Sequence, residues 1–180
     1  MLKARQFESI REDHSDGIFR FALGFLKNHH AAEDATQDIL IKIWDLLPRL
    51  SLRNKRAWVF RIARNHCIDQ LRKSAVRHTE SIVDFEIPAE ADQNHFPTKP
   101  GQAVDRDVLN QFLNNALQEI PELQRSVFIL YEVNDLKHRE IADTLGISTS
   151  SAKVYLHRAR KALQTLLQEK EPWIQNYNKS

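Results

Sequence analysis

The sequence predicts an all-α protein: two small helical domains joined by a flexible linker, the second carrying a helix-turn-helix. Three observations predict it. Only four glycines and six prolines interrupt the 180 residues, which argues for a mainly helical chain. Apolar residues recur at helical spacing along most of the sequence. Charge is partitioned: residues 1–78 carry 15 Lys/Arg against 9 Asp/Glu, residues 79–106 carry 2 against 6, and residues 107–180 carry 9 of each. A basic block, an acidic joint and a balanced block mark two modules and a tether, with boundaries expected at 1–78, 79–106 and 107–180.

Composition excludes several classes. No apolar run approaches the ~20 residues that cross a bilayer, so membrane insertion is not expected. The N-terminus MLKARQFESIRED lacks the apolar core of a signal peptide. The single cysteine, Cys67, forms no intrachain disulfide and fits a reducing cytoplasm.

The first module opens with Phe7 and Ile10, and Ile18, Phe19, Phe21, Ala22, Phe25 and Leu26 continue the pattern. Gly17 and the polar residues before it are expected to split this stretch into two helices. Asn28, His29 and His30 read as a polar turn. The adjacent histidines do not face one site, and neither a metal nor another cofactor is expected. The next helix spans Ala31 to Leu47 and ends at Pro48. Ala35, Ile39 and Ile43 line one side. Asp34, Gln37, Asp38, Ile41 and Trp44 line another, where a tryptophan rimmed by polar groups suits a docking surface.

Residues 49–77 carry nine Lys/Arg and one acid, Asp69. Trp58, Ile62, Ile68 and Leu71 are spaced for an inward stripe. Arg61, Arg64, Asn65, Arg72 and Lys73 are left largely outside. Trp58 and Phe60 sit among the cations. Charges that follow phosphates, interleaved with rings that accept splayed bases, suit single-stranded nucleic acid.

Residues 79–106 hold three of the six prolines and keep no period, so a flexible acidic connection is expected. Helix resumes from Val108 to Ile120, and Pro121 restarts it at Glu122. In the unit from His138 to Lys161, Ile141, Ala142 and Leu145 mark a buried face. Gly146 ends the first helix, and Ser148 caps the second. Ala152, Leu156, Ala159 and Leu163 form the inward stripe of that second helix. Lys153, Val154, His157, Arg158 and Lys161 face outward or flank the outward face. No acid occurs from Thr144 to Gln168. A compact hairpin with cations in front suits the DNA major groove. Thr149, Ser150 and Ser151 offer hydroxyls and backbone N–H groups to phosphate. The four helices of this module are expected to share a small core of their own.

The two modules in this order resemble a bacterial RNA polymerase sigma factor of the extracytoplasmic-function (ECF) subfamily. AEDATQDILIKIW resembles the family's second region and RAWVFRIARNHCIDQLRK its promoter-melting segment. IPELQRSVFILYEVNDLKHREIADTLGISTSSAKVYLHRARKAL resembles the fourth region. The resemblance implies that Asp34, Gln37, Asp38, Leu40, Ile41 and Trp44 dock on the β′ clamp of core RNA polymerase, with the second module at the β flap. It implies that Trp58, Phe60, Arg61, Arg64, Asn65, Asp69, Arg72 and Lys73 read and open the minus-ten element. It places Thr149, Ser150, Ser151, Lys153, Val154, His157, Arg158 and Lys161 at the minus-thirty-five element. Promoter DNA, double- and single-stranded, and an anti-sigma factor are the other implied partners. Lys153 and His157 stand where other members often carry Arg or an aromatic, and Lys lacks the bidentate fork that Arg gives to guanine.

No Gly-rich phosphate loop and no spaced nucleophile–base set occurs, so no catalysis is expected. The rival reading is a two-domain helix-turn-helix regulator that does not bind polymerase. A receiver domain would need alternating strands and helices with clustered acids, and the first module shows neither.

Overall fold

The computed structural model of the chain describes residues 2–49, 54–80, 113 and 115–177, all in helices or the short turns between them. Residues 81–106 of the expected tether and 108–112 of the expected helix lie outside the described residues. So does the side chain of Trp173.

Helix α1 runs unbroken over Leu2–Leu26. The break expected at Gly17 does not occur. Ile10, Ile18, Phe21, Ala22 and Phe25 are all buried on one face, and that packing outweighs the roughly 1 kcal/mol that a helical glycine costs. Lys27 then adopts a left-handed conformation at φ 59°, and its N–H bonds Leu23 O at 3.0 Å. Asn28 caps the next helix, its Oδ1 accepting from Ala31 N at 2.7 Å. Two residues thus reverse the chain. Helix α2 spans His29–Leu46, so the histidines expected in a turn begin the helix instead. A 3₁₀ turn over Leu47–Arg49 follows, accommodating Pro48 where an α-helix would stop. Helix α3 covers Lys55–Glu80, two residues beyond the expected end of the first module.

Residues 115–119 are helical, and Pro121 opens α4, Glu122–Phe128. The helix then widens into a π turn over Ile129–Val133, with Asn134 N bonded to Ile129 O at 3.1 Å. Asn134 also donates from Nδ2 to the same carbonyl at 3.3 Å. Helix α5 spans His138–Leu145, and Glu140 reaches back to accept from Lys137 N at 2.9 Å, tying down a free helix-start donor. Gly146 ends α5 at φ 67°, a conformation that costs a side-chain-bearing residue energy. Ser148 Oγ accepts from Ser151 N at 3.0 Å, which caps α6, Thr149–Tyr177, as expected.

The small core expected for the second module is present, but a larger core runs across both lobes. One cluster joins Phe21, Phe25, Ile39, Phe60 and Ile68 of the first lobe to Val127, Ile129, Leu130, Leu136, Ile141 and Leu156 of the second. A smaller cluster of Ala116, Leu117, Ile120, Ala159 and Leu163 belongs to the second lobe alone. The lobes approach so closely that a Cβ on Gly24 would lie 2.9 Å from Ile129 Cδ1, inside van der Waals contact.

Candidate nucleic-acid interface

The exposed side of α2 has a defined shape. Ile41 is 60% and Trp44 38% exposed, and Asp34, Gln37 and Asp38 are open to solvent beside them, with Leu40 half-buried. Trp44 is held by α1. Phe7 meets its ring edge-on with centroids 5.2 Å apart, and Lys3 Nζ lies 4.3 Å from its centroid. An apolar ring fixed in place and rimmed by carboxylates is suited to protein docking, because little rotamer freedom is lost on contact.

Behind this face α2 is bridged to α3. Lys42 Nζ donates to His66 Nδ1 at 2.8 Å. His66 Nε2 lies 3.7 Å from Asp38 Oδ2. His66 is 5% exposed. Burial, and then the Lys42 charge, push its pKa below the ordinary histidine value, against the attraction of Asp38 and Asp69. A neutral ring can accept from Lys42 with one nitrogen and face Asp38 with the other. Sequence reading missed this bridge. The only available signal was a histidine in the apolar register of α3.

The α3 residues divide in a way that periodicity alone did not show. Arg61, Asn65, Asp69, Arg72 and Lys73 are exposed and Trp58 is half-buried. Phe60 is not available to a splayed base. It is 2% exposed, lies edge-on to Phe21 at 6.1 Å and belongs to the shared core. Its position three residues before the buried Ala63 put it on the inner face. Cys67 is fully buried, and burial pushes its thiol up to about 12, so almost no reactive thiolate forms near neutral pH.

Two of the outward arginines of α3 are engaged by the second lobe. Arg61 Nε donates to Thr144 O at 3.1 Å, and its Nη2 donates to Asp143 O. Both carbonyls belong to the last turn of α5, where helix C-termini leave acceptors free and negative. Arg64 Nη2 donates to Glu122 Oε1 at 2.7 Å and its Nε to Ser126 Oγ at 3.1 Å. Arg56, also of α3, donates to Asn134 O. Asn54, just ahead of the helix, donates to Asp143 Oδ2 at 2.8 Å. Arg56 and Asn54 were absent from the sequence reading, since nothing local distinguishes them.

On α6 the cations stand free of the core. Lys153, Val154, His157, Arg158 and Lys161 are all exposed, as are Thr149 and Ser150, and Ser151 is half-buried. Val154 is 47% exposed, an apolar spot among cations that suits a thymine methyl. Arg160, two positions from Arg158, turns away. Its Nε donates to Glu132 Oε1 at 2.7 Å, and it stacks over Tyr131, fixing α6 against the π turn. Among the described residues no three His, Cys, Asp or Glu converge as metal ligands, and no helix is long and apolar enough to cross a membrane.

Two helical lobes, one with a docking ring and basic helix, the other with a helix-turn-helix and basic outer face, define the architecture. Residues 10–77 match the family model Sigma-70 region 2, and residues 113–163 match Sigma-70, region 4. The ECF RNA polymerase sigma factor SigM of Bacillus subtilis is 26% identical over 159 residues, 88% of this chain and 93% of the relative. SigE of Mycolicibacterium smegmatis is 28% identical over 163 residues, 89% of this chain but 61% of that longer relative. The solved structure of sigma factor RpoE in complex with the anti-sigma factor NepR from Bartonella quintana superposes with a TM-score of 0.72. It is 27% identical, with 91% of this chain and 98% of that one covered. The chain belongs to the sigma-70 family, in its extracytoplasmic-function group.

Proposed function

We propose that this chain binds core RNA polymerase, directs it to particular promoters and assists strand opening at initiation. The observation that carries the reading is the presence of both sigma-70 regions on one chain in order, each with an exposed face of fitting chemistry. The α2 face around Ile41 and Trp44 docks on the β′ clamp, and the second lobe engages the β flap. The outer face of α6, from Lys153 to Lys161, takes the minus-thirty-five duplex, where cations neutralise phosphates and Arg158 reaches base edges. The exposed cations of α3, with Trp58, take one unstacked strand of the minus-ten element. Phe60 supports them from within the core.

Each lobe buries little surface on DNA and grips it weakly. The polymerase fixes both lobes, so the second contact becomes intramolecular and its effective concentration rises. The segment around residues 79–106 serves as the tether between units 1–78 and 107–180. The chain performs no catalysis and works in the cytoplasm. An anti-sigma factor that covers the α2 face would hold it inactive, as the relatives solved with such partners suggest.

In vitro transcription with core enzyme tests the reading. Adding this chain should give discrete start sites on a genomic library that core enzyme alone does not use. A chain that binds DNA but not core polymerase would instead be a helix-turn-helix regulator, and the reading would fail.

A further inference from the structure

The outer face of α2 carries its acids on one stripe. Asp34, Asp38, Ile41 and Asp45 recur at helical spacing and are all exposed. A partner that meets them must bring cations. Lys42 stands four residues after Asp38, the spacing at which a lysine ordinarily swings back onto an acid of the preceding turn. A carboxylate answered from its own helix is a poorer target for a cation from outside. We infer that His66 is a positioning residue for docking: it draws the Lys42 ammonium away from Asp38 and leaves that carboxylate open to the partner. The role rests on the proposed sigma function for the partner's identity as core polymerase.

Three features of the site support this role. First, the ammonium is already taken. Lys42 Nζ donates to His66 Nδ1 at 2.8 Å, and the ion pair of Asp38 is with the ring, its Oδ2 3.7 Å from His66 Nε2. Second, the ring is fixed in the form that accepts. An ammonium has donors only, so Nδ1 must accept and the proton of the neutral ring sits on Nε2. There it faces Asp38, with the Gln70 amide 3.4 Å from the same nitrogen. Third, the two ends of the bridge differ in access. The His66 side chain is buried, whereas that of Asp38 is 53% exposed, so the inner partner is held while the outer one stays open.

The same geometry makes docking sensitive to acid. The charged groups that face the ring are Lys42 and Asp38 from α2 and Asp69 and Lys73 from α3. Burial, and next Lys42, hold the ring neutral and accepting near neutral pH. A proton added at Nδ1 ends the acceptance. Lys42 is then released beside Asp38, and the imidazolium sets a second cation behind the same carboxylate. A partner's cation on Asp38 and a proton on His66 therefore oppose each other, and by linkage each weakens the other equally.

The affinity of full-length variants for core polymerase, read by fluorescence anisotropy across a pH series, tests this. Near neutral pH the wild type should bind about threefold tighter than His66→Leu. That ratio should shrink towards one as pH falls below 6.5, because titrations within the polymerase cancel in it. Adding Lys42→Gln to His66→Leu should restore the neutral-pH affinity, since the competing ammonium is gone. His66→Gln, whose amide oxygen can accept from Lys42, should restore it as well and keep it in acid. A histidine that only fills space would not be rescued by removing a lysine. No recovery on removing Lys42, or a ratio that does not change with pH, would overturn the role of His66 and leave the sigma reading standing. If His66→Leu does not fold, wild type and His66→Gln decide alone, and parallel pH profiles for the two would sink the role. A wild-type chain with no affinity for core polymerase at any pH would overturn the sigma reading and this role together.

Discussion

Helices α3 and α6 carry similar charge and meet opposite circumstances. On α6, Lys153, Arg158 and Lys161 face solvent from a helix whose inner side is sealed by Ala152, Leu156, Ala159 and Leu163. On α3, Arg61 and Arg64 point away from their own lobe yet end on the other one. Both helices read as nucleic-acid faces from charge alone. The difference teaches that a cation outside a helix's own core is not yet a free cation. Its partner is decided by what the rest of the chain packs against it.

The comparison breaks most readily at Phe60. If it belongs to the core, Phe60→Ala should lower stability by about 3–5 kcal/mol, read as an earlier denaturation midpoint. A midpoint within experimental error of wild type would return the ring to the strand-binding set. The next effect concerns α6. Lys153→Glu with Arg158→Glu should lower minus-thirty-five-dependent transcription by roughly 100-fold while core polymerase binding in a pull-down stays intact. Equal loss of both would erase the division between the two faces.

A pair of single truncations sharpens the contrast directly. Arg64→Ala should cost about 1 kcal/mol, because the Glu122 carboxylate is partly solvated and the pair is screened. Arg158→Ala should change stability by less than about 0.5 kcal/mol. Urea titrations that rank them the other way would contradict the assignment of bonded and free arginines.

The smallest effect is expected at His66, through pH. Its folded pKa lies below the unfolded value of 6.5, chiefly through burial and next through Lys42. In that window the unfolded chain binds the extra proton, so stability rises with pH. The contribution is complete above 6.5 and is lost as pH falls below it. His14, also lowered chiefly by burial, acts with the same sign. The charged groups facing His66 are Lys42, Asp38, Asp69 and Lys73. A His66→Gln variant should flatten the acid side of a stability–pH curve; an unchanged slope would remove the α2–α3 bridge from the account.

Much of the fold was legible because it is locally encoded. Gly146 at the end of α5, Ser148 at the start of α6 and the buried positions 35, 39 and 43 of α2 all follow from rules that span four residues. The misreadings share a cause as well. Gly17 was expected to break α1, but its neighbours bury a continuous apolar face that keeps the helix whole. Phe60 was set among the base-stacking groups because an aromatic beside cations looks the same in sequence whether it points inward or outward. The second module keeps the small core expected of it around Leu117, Ile120 and Leu163, but more of its buried apolar residues complete a core begun by the first.

By itself the sequence determined most of the helices, the ends at Gly146 and Ser148, the uneven charge and the order of the two modules, since each is written in contacts between near neighbours. Only the tertiary structure decided which basic groups remain available. Arg61 is answered by a carbonyl 82 residues along the chain and Arg64 by a hydroxyl 62 residues along. Periodicity records which side of a helix is apolar, but it carries no information about which distant helix end will supply the acceptor.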